Sequence, residues 1–247
     1  MRGTRTIAAL VALVSARAVN AATAYVVVAL CDNEHQGIVP VPKALGDGTN
    51  PSTNLYWGAA FGVRTYLSKA RHWQRQKDSG VLPEGVLERI VVTTRVPRAV
   101  GDVEVKVVAD AWDGRRMKDA VAWFLEAAAG RRADEAHVVA FVGHNGLMDC
   151  EAPAFRAGEA EPARAAIVLA CASRPYFSDL LKRAGARPLL LTSGLMAPEA
   201  YTLDAGLRAW FATGDVAQVH DAAAAAYHRY QRCGLTASRR LFVVPVD

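Results

Sequence analysis

An α/β fold, with a mainly parallel sheet flanked by helices on both faces, is what this sequence predicts. Three observations carry the prediction. Short, continuous apolar runs rich in β-branched residues recur, at Tyr25–Leu30, Ala136–Gly143 and Ala165–Ala170, and such runs suit strands buried on both faces of a parallel sheet. Between them lie stretches with apolar residues at helical spacing. Strand and helix patterns alternate, and that alternation builds parallel sheets with crossover helices.

The elements follow in order. Tyr25–Leu30 reads as a buried strand. It runs into Cys31-Asp32-Asn33-Glu34-His35 and a polar loop rich in Gly and Pro up to Pro51. Ser52 or Thr53 is suited to cap a helix from about Asn54 to Ser68, with Leu55, Ala59, Val63, Tyr66 and Leu67 inward. Residues 69–85 read as a charged connection. Leu87–Thr94 is a second strand, and the alternating Val103–Ala109 a third, at an edge. Asp113 or Gly114 starts a helix whose buried stripe is Met117, Ala120, Val121, Phe124, Leu125 and Ala128, and Gly130 ends it. The strand before His144 follows, then an irregular stretch over 147–162, then the strand before Cys171. Tyr176–Ala184 is a helix opened by Pro175, Arg187–Thr192 a strand, and Pro198–Ala212 and Asp215–Gln231 are helices. Leu241–Val244 is a last strand, placed at an edge by Pro245. With 52% hydrophobic residues among 247, one domain over 24–247 has material for a real core.

The N-terminus reads as a secretory leader, residues 1–21. Arg2 and Arg5 precede the apolar run Ile7–Val14, and small residues follow, with cleavage expected after Ala21 or Ala24. The expected location is therefore secreted or periplasmic. The run is shorter than the roughly 20 residues that span a bilayer, so no membrane span is expected. Removing the leader takes away Arg2, Arg5 and Arg17 and lowers the formal charge from +5 to about +2. No basic stripe interleaved with aromatics remains, which argues against a nucleic-acid partner. Of the four cysteines, Cys31, Cys150, Cys171 and Cys233, Cys31 and Cys150 both follow predicted strands, making a bridge between them one option in an oxidising compartment.

The chemistry concentrates at two strand ends. One apolar run closes on His144-Asn145-Gly146 and the other on Ala170-Cys171. In a parallel sheet the strand C-termini share one edge, where ligands bind. A thiolate beside an imidazole is the minimum equipment for nucleophilic catalysis, and backbone N–H groups at a Gly turn suit a developing oxyanion. Gly-x-Ser-x-Gly, the mark of a serine hydrolase elbow, is absent from the sequence. The polar Cys31-Asp32-Asn33 segment lies on the same predicted edge, and the acidic residues Asp32, Asp149 and Glu151 would suit a basic substrate side chain. Cys31, Asp32, Asn33 and Asp149 are thus substrate-pocket candidates. A metal at Cys31–His35 lacks a second ligand cluster, and no metal or cofactor is expected. His137, inside a strand, reads as a core or edge residue, and His220 and His228 as solvated helix residues.

The paired strand ends resemble the caspase-like fold of cysteine peptidases, the group that includes caspases, legumains, gingipains and clostripain. Its hallmark is an apolar strand ending in His-Gly and a later one ending in Ala-Cys. Ala170-Cys171 matches the second motif; His144-Asn145-Gly146 matches the first, with Asn145 where the family has Gly. The helix just before the His strand also fits, and the likeness covers about residues 88–175. The resemblance implies His144 as general acid/base and Cys171 as nucleophile. It also implies an oxyanion hole of backbone N–H groups at Asn145 or Gly146 and Cys171, and a peptide or protein substrate. The Asn145 departure leaves an alternative, a catalytically inactive caspase-like binding module of the cell envelope. A third reading is an unrelated α/β enzyme or small-ligand binder that uses the 31–50 loop.

Overall fold

A computed structural model describes residues 21–158 and 164–243. Eight strands form one sheet in the order β2-β3-β4-β1-β5-β6-β7-β8. They are β1 (Ala21–Ala29), β2 (Gln74–Gln76), β3 (Val86–Val96), β4 (Val103–Trp112), β5 (Ala136–Val142), β6 (Ala165–Leu169), β7 (Arg187–Thr192) and β8 (Phe242–Val243). The five central strands β4, β1, β5, β6 and β7 run parallel. At one edge β3 and β2 continue antiparallel, and β8 does so at the other.

The helices are α1 (Val63–Lys69), α2 (Met117–Ala128), α3 (Ser173–Arg183), α4 (Ala200–Thr213), α5 (Val216–Gln231) and α6 (Leu235–Leu241). Residue alternation along β1 shows how they divide. Ala22, Ala24, Val26 and Val28 pack with α1, α4 and α5 through Leu67, Leu207 and Ala223. Tyr25, Val27 and Ala29 pack on the opposite face with α2 and α3 through Phe124 and Phe177. Side chains of a strand point alternately to the two faces, so a continuous apolar run is what two covered faces require. The sheet therefore has helices on both faces, as the sequence predicts.

Several boundaries differ, each for a physical reason. The helix expected from Asn54 begins only at Val63. The Asn54 side chain is spent instead on the backbone: its Nδ2 donates to Cys31 O and Asp47 O, and its Oδ1 accepts from Cys31 N–H and Tyr56 N–H. An Asn bonded this way favours turns over helix. The charged connection over 69–85 contains β2, whose three residues are all exposed, so no apolar pattern marks it. β4 is an interior strand rather than an edge. Its alternation comes from Glu104 and Lys106 near its start, and from Val107 onward it is buried without interruption. Leu241 ends α6, a helix missed by the sequence reading, and β8 follows it; the last residue assigned to that strand, Val244, lies outside the described residues. Cys31 and Cys150 are both free thiols, so the bridge between them is not formed.

Candidate active site

The parallel register aligns the strand ends. Val28 pairs with Val142 across β1 and β5, and Val142 with Leu169 across β5 and β6. His144 and Cys171 each lie two residues beyond that last rung, on strands that neighbour each other. Neighbouring strands are about 4.8 Å apart, so two side chains 27 positions apart in sequence share one stretch of the sheet edge. The Asn145 Nδ2 donates to Cys171 O at 2.8 Å and closes the gap between the two turns.

The His turn is shaped by Gly143. Its φ is +146°, and a Cβ there would lie 2.8 Å from the Ala29 carbonyl oxygen of β1. Only glycine accepts both conditions comfortably, so β5 ends there and His144 leaves the strand direction. Asn145 opens a single 3-10 turn over Gly146–Met148 by accepting from Leu147 N–H at 3.2 Å. The His144 ring is buried, and its Nε2 lies 2.7 Å from Asp149 Oδ2.

The Cys turn is clamped from three sides. Thr192 Oγ1 accepts from Ser173 N–H at 3.0 Å and donates to the Ala170 carbonyl. Ser173 Oγ reaches back to Val168 O at 3.0 Å. Ala172 N–H donates to Gly194 O at 2.8 Å, and Ala172 itself has a left-handed φ of +45°. A non-glycine residue held there stores about 1–3 kcal/mol of strain and is frequent at functional sites. Cys171 is half-buried, and its sulfur sits against Met196, 3.4 Å from its nitrogen and 3.5 Å from its oxygen. The Met196 N–H is a donor to the sulfur. Tyr56 lies close enough for the charges of both Cys31 and Cys171 to act on it; burial first, then those charges, holds its hydroxyl protonated.

Of the expected oxyanion donors, Gly146 is committed, since its N–H bonds His144 O at 3.1 Å. The Asn145 and Cys171 N–H groups have no acceptor among the described residues. The pocket candidates separate. Cys31 is fully buried, bonded through its backbone to Asn54, and burial pushes its thiol up to about 11. Asn33 braces the loop by exchanging hydrogen bonds with Val41. Asp32 is buried and accepts from Glu34 N–H and His35 N–H, with the His35 ring 3.1 Å away. These three hold the 31–50 loop in shape rather than line an open pocket. Asp149, expected among them, is instead the partner of His144. No periodic signal distinguishes it from neighbouring acids, and only the turn that Asn145 opens brings it back to the ring. Tyr56 and Met196 were likewise illegible, one hidden in an apolar pair with Trp57 and the other contributing only backbone. His137 accepts Thr23 N–H between strands, while His220 and His228 bond the α6 segment and are not merely solvated.

No protein-family model, curated protein or solved structure matches this chain. What the fold shows by itself is an α/β protein with a mostly parallel, mixed eight-stranded sheet. Among the described residues, no helix is long and apolar enough to cross a membrane.

Proposed function

We propose that the chain is a cysteine-dependent hydrolase of caspase-like fold, an endopeptidase with His144 and Cys171 as its catalytic pair. The observation that carries this reading is the shared rung: His144 and Cys171 each stand two residues past the Val142–Leu169 pair, bridged by the Asn145 side chain.

The chemistry follows from those groups. The Cys171 thiolate attacks the scissile carbonyl carbon, a C–S bond forms, and the carbonyl π electrons move to oxygen. The Cys171 N–H, without a protein acceptor and on a half-buried residue, is the donor for that oxyanion, whereas Asn145 is fully buried and serves the site through its side chain. Collapse breaks the C–N bond, and the His144 imidazolium protonates the departing amine. Water then attacks the thioester while His144 takes its proton, releasing the acid and restoring the thiol. Asn145 in place of Gly is compatible with this sequence of steps, because its side chain is fully buried and engaged with Cys171 O and Leu147 N–H. The side chain thus stays out of the substrate's way.

Export is part of the reading. Residues 1–20 of the expected leader lie outside the described residues. β1 begins at Ala21, and Ala21–Ala24 pair with Glu104–Val107. A cut after Ala21 spares nearly the whole strand, whereas one after Ala24 would remove four of its rungs. The earlier site is therefore the favoured one.

The test incubates the purified mature protein with a peptide library and with iodoacetamide. Selective labelling of Cys171, and cleavage lost in Cys171→Ala and His144→Ala, are the expected results. Cleavage that persists in Cys171→Ala, or no cleavage and no preferential labelling, overturns the reading.

A further inference from the structure

We infer that Asp149 is a positioning residue for His144 and couples the imidazole to the 31–50 loop through Gly37, an inference that rests on the hydrolase reading above. One carboxylate oxygen does both jobs. Asp149 Oδ2 lies 2.7 Å from His144 Nε2 and accepts from Gly37 N–H at 2.9 Å. The backbone beneath it is fixed, because Asp149 N–H bonds Gly146 O at 3.1 Å and closes the 3-10 turn that Asn145 opens.

An ionised carboxylate only accepts. Nε2 is therefore the donor, and in the neutral ring Nδ1 keeps the lone pair. Which nitrogen of a histidine can act as base is set by the hydrogen bond that the other makes. No described residue bonds His144 Nδ1, so that nitrogen is the one left for the thiol and the substrate. Asp149 is thus the orienting third member behind the pair. Gly37 N–H holds an acceptor at the Oδ2 position, so an amide would keep its oxygen on Nε2. Asp149→Leu removes the acceptor altogether, and the ring can then carry its proton on either nitrogen.

Gly37 offers a way to move Asp149 without touching it. A Cβ at Gly37 would lie 2.3 Å from Asp149 Oδ1 and 3.1 Å from its Cγ. The backbone at Gly37 is not left-handed, so the side-chain carboxylate is the sole conflict for alanine. The loop has its own supports: Gln36 Nε2 donates to Leu30 O at 2.7 Å and Gly114 O at 3.1 Å, and Asn33 bonds Val41. Gly37→Ala is therefore expected to fold with Asp149 displaced.

The experiment reads the His144 tautomer by imidazole ¹⁵N NMR, with the signal assigned among the six histidines by loss in His144→Gln. Wild type is expected to show the Nε2–H form and Asp149→Leu a mixture of the two tautomers. On a cleavable peptide, kcat is expected to fall about 10²- to 10⁴-fold in Asp149→Leu, the scale for loss of a triad's orienting carboxylate, with KM little changed. Gly37→Ala is expected to lower kcat by roughly tenfold, the scale of a small misplacement, and Asp149→Glu to recover part of the loss. An unchanged tautomer and unchanged Cys171 alkylation rate in Asp149→Leu overturn the positioning role, while an inert Cys171→Ala leaves the hydrolase reading standing. Cleavage surviving in Cys171→Ala overturns the hydrolase reading, and the tautomer measurement still decides whether Asp149 orients the ring.

Discussion

Two thiols on the same sheet edge have opposite surroundings. Cys31 is fully buried, and its thiol is pushed up to about 11 by burial first, with the Asp32 charge adding and a hydrogen bond with Tyr56 opposing. Cys171 is partly exposed against the Met196 amide. A thiolate is the reactive form, so Cys31 is expected to stay inert to iodoacetamide up to about pH 9. Its raised pKa has a sign for stability as well. The folded value lies above the unfolded reference of 9.0, so this contribution is complete below pH 9 and is lost as pH rises through about 11. Chemical denaturation across pH 8–11 is expected to show a shallower alkaline decline in Cys31→Ala than in wild type, and an identical slope would count against it. At this scale the sequence was only partly legible. His144 and Cys171 stand out because each abruptly ends an apolar run. Asp149 does not, because its role depends on a turn geometry set by Asn145, a residue whose side chain faces inward.

At the scale of elements, the Cys171 turn depends on Thr192 at the end of β7. Its hydroxyl satisfies Ser173 N–H and the Ala170 carbonyl, all in fully buried surroundings. Thr192→Val keeps the shape and deletes both bonds, leaving a buried donor and acceptor unsatisfied. The expected loss is about 2–3 kcal/mol, measured by denaturant unfolding, together with a slower Cys171 reaction in the folded protein. A change under about 0.5 kcal/mol would show that the clamp is not made. Arg164 plays a comparable part for α2. Its guanidinium donates to Ala127 O at the helix C-terminus and to the Arg132 carbonyl, where a cation suits the helix dipole. The helices that cover the sheet were readable because each places an apolar stripe at 3.6-residue spacing; Met117, Ala120, Val121, Phe124, Leu125 and Ala128 are all buried. The turn segment before α1 was not, because Asn54 redirects the backbone by contacts 23 residues away at Cys31.

Across the whole molecule, the antiparallel edge and the parallel centre are joined by one buried polar group. Arg89 of β3 reaches Asp110 of β4, Nε to Oδ1 at 2.5 Å, and donates to the Tyr25 hydroxyl of β1 at 2.6 Å. Asp110 is fully buried. Burial first, then the Asp110 charge, holds the Tyr25 hydroxyl well above its ordinary range, so it stays a donor to Asp110. Arg89→Met would strand the carboxylate and is expected to cost about 3–5 kcal/mol, whereas Arg89→Met with Asp110→Leu should recover most of it. Equal losses in the single and double variants would contradict this. The parallel centre of the sheet followed from the alternation of elements. β2 did not register, since its three residues are all exposed and too few to show a period, whereas the edge strand expected over Leu241–Val244 is β8. The central claim is that His144 and Cys171 act as one unit at the shared sheet edge. Its most direct test is residue-resolved iodoacetamide labelling of the four cysteines in wild type and His144→Ala. The account expects Cys171 to react fastest in wild type and to slow to the rate of the exposed Cys233 without His144. A Cys171 rate equal to that of Cys233 in both proteins would contradict it.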